Sequence, residues 1–398
     1  MPNFMPRSFG IGGDMQLLVP TNWDPSLIAP LSRLEASVEL YSVLPTSMIG
    51  SGGSGPDNVY TMGEQAEEYI KRAHSAGLQF DYLLNAPSMS NMEWNEKTHR
   101  ELLEHLEWIN SIEADSVTVT IPYLIELVKR QFPHLKTRVS TIAHVDSVAR
   151  AKLFESLGAD SITLDIHINR DFKLLKAIRN AVNCELVLLA NNLCLYKCPY
   201  EYYHHDSLGH ASQSYNPLNG CYMDYPVIHC TLDRLCDISQ NIKSRWVRPE
   251  DIYACEEMGI DVIKISGRSM PTEQIVNTAT AYSLRHYQGN LYDILNALTP
   301  KIGLVNSGLP GTQNHTIATP PKLYIDNQAL EGFMDFFRKQ NCLSQCHQCN
   351  YCQKIANEVI QFDRNEVDEY VALLKEFLDN LSSSRIFKVK AGVRNYLH

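Results

Sequence analysis

Eleven cysteines stand in this sequence, and eight of them fall into two groups. The first cysteine group is Cys194, Cys198, Cys221 and Cys230, and the second cysteine group is Cys342, Cys346, Cys349 and Cys352. A thiolate is a soft anionic ligand, and four thiolates complete a tetrahedral metal site. The first group therefore predicts a metal site, with an iron–sulfur cluster and zinc as candidates. Scattered structural cysteines are the alternative.

The second cysteine group is compact, since all four cysteines lie within eleven residues. Its spacing is close to that of ferredoxin-type cluster loops. Three hypotheses stay open for it: a second iron–sulfur cluster that passes electrons to the first, a structural zinc knuckle, and a redox-sensing or sulfur-relay set of thiols.

Composition narrows the class of protein. The chain has 398 residues, 44% of them hydrophobic, and a formal net charge of −10. An acidic chain argues against a general nucleic-acid binder, and hence against an RNA substrate. No signal peptide and no apolar run of ~20 residues is visible, which predicts a cytoplasmic protein without a membrane span. Cysteine clusters in that compartment indicate metal or redox sites rather than disulfides.

The elements that must position these cysteines alternate along the first two-thirds of the chain. Apolar runs predict eight strands, at residues 16–19, 38–44, 80–85, 116–120, 138–142, 161–165, 185–190 and 262–266. Amphipathic stretches between them predict helices, for example at 60–76, 95–112, 146–157 and 171–180. This order predicts an α/β fold, a TIM-type (β/α)8 barrel.

Two departures from the barrel rhythm define the predicted domains. Residues 1–300 form the barrel, interrupted at about 191–244 by a long insertion that contains the first cysteine group. We expect helices at 272–285 and 290–298. Residues 301–398 form a helical C-terminal extension with the second cysteine group, and its predicted helices are at 327–339 and 366–381.

Polar residues after the predicted strands are candidates for substrate chemistry, because active sites of TIM barrels form at the C-terminal ends of the strands. Arg170 and Arg268 could bind a carboxylate bidentately, or they could form structural salt bridges. His204 and His210 lie between cysteines of the first group and could protonate a substrate. Asp165 ends the sixth strand. The glycine-rich residues 50–55 match a dinucleotide fingerprint by letter, but no helix follows, so we expect a mobile loop over the mouth.

The stretch Leu193–Cys198 after a strand, the two further cysteines, and the stretch from Lys264 through Gly267 and Arg268 together resemble the U32 "peptidase" family. That resemblance implies a TIM-type barrel in which Cys194, Cys198, Cys221 and Cys230 bind a [4Fe-4S] cluster. It also implies an oxygen-independent hydroxylase similar to those acting on ubiquinone precursors or RNA bases, some of which use prephenate as the oxygen source.

Two departures from the family pattern indicate a divergent branch, whose substrate should not be transferred from the family. The first cysteine pair is spaced more closely than usual, and Ser266 stands where the family has Glu.

The sequence thus predicts an iron–sulfur oxidoreductase of the hydroxylase kind, acting on a small molecule, RNA or peptide. Alternatives are a tailoring enzyme for a peptide or natural product, a non-catalytic metal-stabilised partner of an enzyme complex, and a U32-type peptidase. No H-x-x-x-H or G-x-S-x-G motif supports the last. Expected partners are a small-molecule or peptide substrate and an electron-donor protein. A homo-oligomer and a hetero-oligomer both stay open.

Overall fold

Eight parallel strands close into a barrel. The computed structural model describes residues 15–53, 63–217, 222–300, 304–305, 319–339, 342 and 348–385. The barrel strands are β1 (Gln16–Pro20), β2 (Ser37–Ser42), β3 (Gln79–Leu84), β4 (Ser116–Val119), β5 (Lys136–Val139), β6 (Ser161–Thr163), β7 (Glu185–Leu189) and, after a short strand β8 outside the barrel (Tyr222–Met223), β9 (Val262–Lys264). Strand β9 pairs with both β1 and β7, which closes the sheet. The TIM-type fold and all eight predicted strands are confirmed.

Helices surround this barrel because the strands are buried on both faces and need cover. The helices are α1 (Ile28–Leu31), α2 (Gly63–Ser75), α3 (Glu96–Ser111), α4 (Pro122–Gln131), α5 (Val148–Ser156), α6 (Phe172–Ala181), α7 (Glu201–Ala211), α8 (Tyr225–Cys236), α9 (Ser239–Lys243), α10 (Ile252–Glu256), α11 (Thr272–Leu284), α12 (Phe333–Lys339), α13 (Tyr351–Val359) and α14 (Arg364–Ser382).

The insertion and the extension differ in part from expectation. The insertion is more helical than its weak periodicity predicts, since it contains α7, α8 and α9. The helix expected at 290–298 is wrong, because only a 3-10 turn forms there, at Leu291–Asp293. The helix expected at 327–339 is split near Gly332, whose φ of +74° breaks the helix. The extension also contains two antiparallel strands, β11 (Leu323–Ile325) and β12 (Ile360–Phe362).

The extension packs on the barrel through two hydrophobic clusters. The main core continues from the barrel into α12 and α13, through Phe333, Met334 and Ala356. A second cluster joins α8 of the insertion to α14 of the extension, and its buried members include Ile228 and Leu374. A further strand, β10 (Leu304–Val305), pairs antiparallel with β8. Helix α8, which carries Cys230, therefore packs against α14 of the extension.

The N-terminal half of the barrel interior is filled by a buried ion network rather than by apolar side chains alone. Arg138 lies 2.9 Å from Glu39 and 3.3 Å from Asp81, and all three are almost completely buried. Hydroxyls of Ser116 and Thr118 donate to the two carboxylates. This network lies at the end of a TIM barrel that usually serves stability rather than chemistry.

Over the described residues, no helix combines the length and the apolar character that crossing a bilayer requires.

Candidate functional site

A network of two histidines and two carboxylates lies at the C-terminal end of the barrel. We call His144, Asp165, His167 and Glu201 the mouth network. The Nδ1 atom of His144 lies 3.1 Å from Asp165 Oδ2, and His167 Nε2 lies 2.9 Å from Glu201 Oε2. His144 Nδ1 is also 4.0 Å from Glu201 Oε2, so the two pairs form one assembly. The chain folds this way because His144 follows the 3-10 turn Thr141–Ala143 after β5, and Asp165 lies two residues after the end of β6.

His167 links the mouth network to the first cysteine group. The backbone N–H of Lys197 donates to His167 Nδ1 at 3.2 Å, so the other ring nitrogen of His167 donates to Glu201. Lys197 lies between Cys194 and Cys198 and has a φ of +54°, in the left-handed region that costs a non-glycine residue free energy. The hydrogen bond to His167 helps to hold this strained segment.

Both carboxylates of the mouth network stay ionised. Burial alone would raise the pKa of Glu201, but the hydrogen bond and the charge of His167 outweigh it and hold that pKa below its usual value. The pKa of Asp165 is likewise lowered, because the hydrogen bond from His144 and the charge of His167 overcome its burial. The site therefore contains two ionised carboxylates, each of which orients one imidazole ring, an arrangement suited to proton transfer.

Three cysteines of the first group lie beside this network. Cys194 and Cys198 are near enough to Cys230 that ionisation of one sulfur would raise the pKa of another, in addition to the larger effect of burial. Cys230 lies on α8, and Glu201 is also close to Cys194. Cys221 lies outside the described residues. The insertion thus returns Cys230 to the segment that follows β7.

A buried arginine stands behind these three thiols. Arg234 is 4% exposed and donates to the carbonyl of Leu193 and to Thr231 Oγ1. Burial would lower its pKa, but the ionisable groups around it, Cys230 first, raise it. No Asp or Glu within the described chain forms an ion pair with Arg234, and the undescribed residues 218–221 contain no acidic residue.

The donor set of the first cysteine group is chemically suited to a thiophilic metal. Its described members are all thiols, and a buried cation is available to balance thiolate charge. Among the residues that the structure describes, however, no three His, Cys, Asp or Glu side chains form an arrangement that could already hold a metal ion. The described members are therefore close together without forming a finished site.

Arg268 lies at the centre of the mouth, under residues 50–53. Its Nη2 donates to Ser51 Oγ and to the carbonyl of Gly53, while its Nη1 is buried without a hydrogen-bond partner. Burial lowers the pKa of Arg268, and no carboxylate in the described ranges pairs with it. His205 lies within hydrogen-bonding distance of the carbonyl of Gly52, so His205 and Arg268 hold residues 50–53 against the mouth, and the mobility expected of the glycine-rich loop stays a prediction. Residues 54–62 lie outside the described ranges.

A cleft of about 360 Å³ opens beside this centre. It lies between the start of α8 and the loop that follows β9, and its lining includes Val227, Ser269 and Tyr292. Val227 is next in space to the first cysteine group, because its carbonyl accepts a hydrogen bond from the Cys230 thiol. Ser269 directly follows Arg268. The lining itself includes neither Arg268 nor a cysteine of the first group, so the cleft lies beside the site rather than within it.

The other predicted residues lie elsewhere. Arg170 does not hold free donors at the mouth: its hydrogen bonds go to the carbonyls of Ile242 and Trp246, and it stacks on aromatic rings of the extension. His204 is stacked on His205, and burial lowers its pKa to about 4, so it is neutral at pH 7. His210 is partly exposed and contacts Ser90. Of the predicted polar site residues, the structure brings Asp165 and Arg268 to the mouth.

The second cysteine group lies against the barrel beside two arginines. Arg245 Nη2 is 3.4 Å from Cys342 Sγ, and Arg170 is close enough to Cys352 and Cys342 for their charges to interact. Cys349 is exposed. Cys346 is outside the described residues.

Sequence reasoning missed Glu201, Arg234 and Arg245. Two of them carry a local signal: Arg234 is four residues after Cys230 on one helix, and Glu201 is three residues after Cys198 at a helix start. Arg245 has no such signal, since its partner Cys342 is 97 residues away in the chain.

Fold and site together define a closed (β/α)8 barrel with a cysteine-bearing insertion at its mouth. Residues 60–288 match the family model described as Peptidase family U32. An uncharacterized protease, MJ1657 of Methanocaldococcus jannaschii, is 30% identical over 330 residues, which cover 82% of this chain and 89% of that protein. The chain belongs to peptidase family U32, as the resemblance implied.

Two solved structures show a weaker similarity to this chain. The structure of the U32 peptidase Mk0906 is 21% identical, has a TM-score of 0.48, and covers 67% of this chain and 98% of its own. A mutant tryptophan synthase alpha-subunit from Pyrococcus furiosus is 8% identical, with a TM-score of 0.38, and covers 71% of this chain and 97% of its own. The assignment of the fold rests on the closed barrel itself.

Proposed function

We propose that this protein is a [4Fe-4S]-dependent enzyme that carries out an oxygen-independent, hydroxylation-type modification. The observation that carries the proposal is the meeting of Cys194, Cys198 and Cys230 around Arg234, a buried cation without an acidic partner among the described residues. A buried unpaired charge destabilises a protein by several kcal/mol. Ionised thiols, which are what a metal binds, would remove that penalty.

The first cysteine group would hold the cluster, with Cys221 as the fourth ligand that the family pattern supplies. A bound [4Fe-4S] cluster provides one-electron redox chemistry. Iron–sulfur is preferred to zinc because the family resemblance implies it, while the donor set alone suits both metals.

The chain's own residues would manage protons and substrate charge. Converting a C–H bond to C–OH with water as the oxygen source releases two electrons and two protons per molecule. An organic oxygen donor would instead accept the two electrons as it gives up its oxygen. His144, held at its Nδ1 by the ionised Asp165, would accept a proton at its other ring nitrogen, while Glu201 would hold His167 in place. Arg268 would bind an anionic group of the substrate or of the oxygen donor through its unpaired Nη1.

A serine-peptidase mechanism has no support at a serine–histidine–aspartate set that the described residues form between α7 and the loop after β3. Ser90 Oγ is 3.1 Å from His210 Nε2, and Asp206 Oδ1 is 3.9 Å from the same nitrogen. In a catalytic triad the serine and the carboxylate address opposite ring nitrogens. These residues therefore cannot act as such a triad as they are placed.

The test compares products in anaerobically grown cells that express the wild type, Cys194→Ser or Arg268→Ala. Untargeted mass spectrometry of small molecules, RNA nucleosides and peptides should find a species heavier by one oxygen atom in the wild type alone. The class of that species would distinguish a small-molecule or RNA hydroxylase from a peptide-tailoring enzyme. Identical products in all three strains, with metal retained by Arg268→Ala, would favour a non-catalytic metal-stabilised partner and contradict the proposal.

A further inference from the structure

Arg245 is a buried cation that faces the second cysteine group. It is 6% exposed, its Nη2 contacts Cys342 Sγ at 3.4 Å, and its Nε is buried without any hydrogen-bond partner. One face of its guanidinium lies 4.0 Å from the ring of Tyr196. No Asp or Glu of the described chain forms an ion pair with it.

A second buried cation lies next to Arg245. Arg170 is 2% exposed and lies close enough to Arg245 for the two charges to interact. Its nitrogens donate to backbone carbonyls, and the rings of Trp246, Phe333 and Phe337 lie within 4.4–5.0 Å of it. Two like charges buried side by side repel each other, so the fold should supply a negative charge nearby.

Carboxylates do not supply that charge. Asp251 is the carboxylate whose charge acts on Arg170. However, Arg248 binds both carboxylate oxygens of Asp251. The undescribed residues 340–341 and 343–347 contain no Asp or Glu. The remaining groups that can become negative here are the thiols of Cys342 and Cys352, both of which lie within electrostatic reach of Arg170.

We propose that Cys342 and Cys352 are thiolate ligands of a second thiophilic metal centre, whose negative charge Arg245 and Arg170 balance. A disulfide between cysteines would be neutral and would leave both guanidinium groups uncompensated, which argues against a redox pair. Zinc and an iron–sulfur cluster share this thiolate chemistry, and the experiment below separates them. This proposal does not depend on the chemistry proposed for the mouth.

The position of Arg245 also connects the two cysteine groups. Tyr196, on which Arg245 stacks, lies between Cys194 and Cys198, and its ring meets His167 edge-on at 5.7 Å. Arg245 therefore contacts the segment of the first group on one side and Cys342 on the other. We infer that filling the second centre fixes Arg245 and, through Tyr196, steadies the segment 194–198.

The experiment measures zinc, iron and acid-labile sulfide per chain in the full-length protein purified anaerobically. The variants are Cys342→Ser with Cys352→Ser, and the matched control is Cys236→Ser, an exposed lone cysteine. Loss of one zinc identifies a zinc centre, and loss of about four irons and four sulfides identifies a [4Fe-4S] cluster. Metal content equal to that of the control would overturn the proposal.

Variants of Arg245 keep the test decisive if the double serine variant misfolds. Arg245→Lys retains the positive charge and should keep the metal of the second centre. Arg245→Met should release that metal to a competing chelator at least about 10-fold faster. Equal metal retention by these two variants would contradict the charge argument. Metal loss confined to Cys230→Ser, with none in the Cys342 and Cys352 variant, would refute the second centre while leaving the mouth proposal intact.

Discussion

Six arginines are buried in the part of the chain that the structure describes, and their partners divide them into two kinds. Arg138 and Arg248 are ion-paired with carboxylates. The other four, Arg170, Arg234, Arg245 and Arg268, have no acidic partner there, and the first three of them lie near cysteines. Buried cations without counter-ions are unfavourable and are retained where function needs them. This division at the level of single residues supports both metal proposals.

Two buried arginines should respond differently to the same substitution. Arg138→Met leaves Glu39 and Asp81 buried without their partner and should lower the free energy of unfolding by about 3–5 kcal/mol. Arg268→Met removes two hydrogen bonds but also an uncompensated buried charge, so its loss of stability should stay below about 1.5 kcal/mol. Chemical unfolding measures both, and a large destabilisation by Arg268→Met would contradict its assignment as a binding residue.

A ligand test completes the comparison at Arg268. Inorganic phosphate or malonate should raise the melting temperature of the wild type more than that of Arg268→Met. Asp57 belongs to residues 54–62, which the structure does not describe. The substitution Asp57→Asn serves as the control. If Asp57→Asn destabilises the protein while the anions have no effect on the wild type, Arg268 has an internal counter-ion instead of a substrate.

Glu201→Gln should separate proton transfer from metal binding. The substitution keeps the size of the side chain but removes the charge that holds His167, so we expect about a 10–100-fold loss of activity with the fold retained. Glu107, an exposed residue on α3, provides the control Glu107→Gln. The measurement is the amount of the oxygenated product in anaerobically grown cells that express each variant. Equal activities of the two variants would remove Glu201 from the mechanism.

Lys264 should make the free energy of unfolding depend on pH in a predictable direction. Burial outweighs the attraction of Asp81 and lowers the pKa of Lys264 from 10.5 to about 7. Between these values the unfolded chain binds more protons than the folded one, so stability rises with pH. The free energy of unfolding of the wild type minus that of Lys264→Met should therefore increase from pH 7 to about pH 10. A difference that stays constant or falls would contradict this.

At the level of elements, α8 carries Cys230 on a helix supported by α14 of the extension. Leu374 of α14 is fully buried in the cluster that joins them, whereas its neighbour Leu373 is 37% exposed. Leu374→Ala should lower the free energy of unfolding by about 2–5 kcal/mol, and Leu373→Ala by less than about 0.5 kcal/mol. Thermal unfolding of the pair checks this. Similar losses in both variants would mean that α14 does not support α8 in this way.

The strands were predictable because each is a short apolar run between helices, a local pattern. Seven of the eight strands end earlier than the patterns suggest. For example, β6 stops at Thr163, because Asp165 caps a 3-10 turn by accepting from the N–H of His167. The helices of the insertion were not predictable from periodicity, since α7 has weak amphipathicity and carries residues that face the site. Arg170 and Arg268 look equivalent in sequence, and only long-range packing distinguishes them.

At the level of the whole molecule, the extension contributes to the site as well as to the core. It places Cys342 against Arg245, which stacks on Tyr196 of the first-group segment, and it supports α8 from behind. The division into a barrel of residues 1–300 and a separate extension stays a prediction. The contacts indicate that the two cysteine groups should be studied in the full chain.

The measurement that tests the central claim most directly is the iron and sulfide content of the anaerobically purified wild type beside Cys230→Ser and Cys236→Ser. Both cysteines lie on α8, but only Cys230 faces the first group. We predict that Cys230→Ser loses about four irons and four sulfides relative to both the wild type and Cys236→Ser. Zinc in place of iron, or an equal iron content in all three proteins, would contradict an iron–sulfur centre at the mouth.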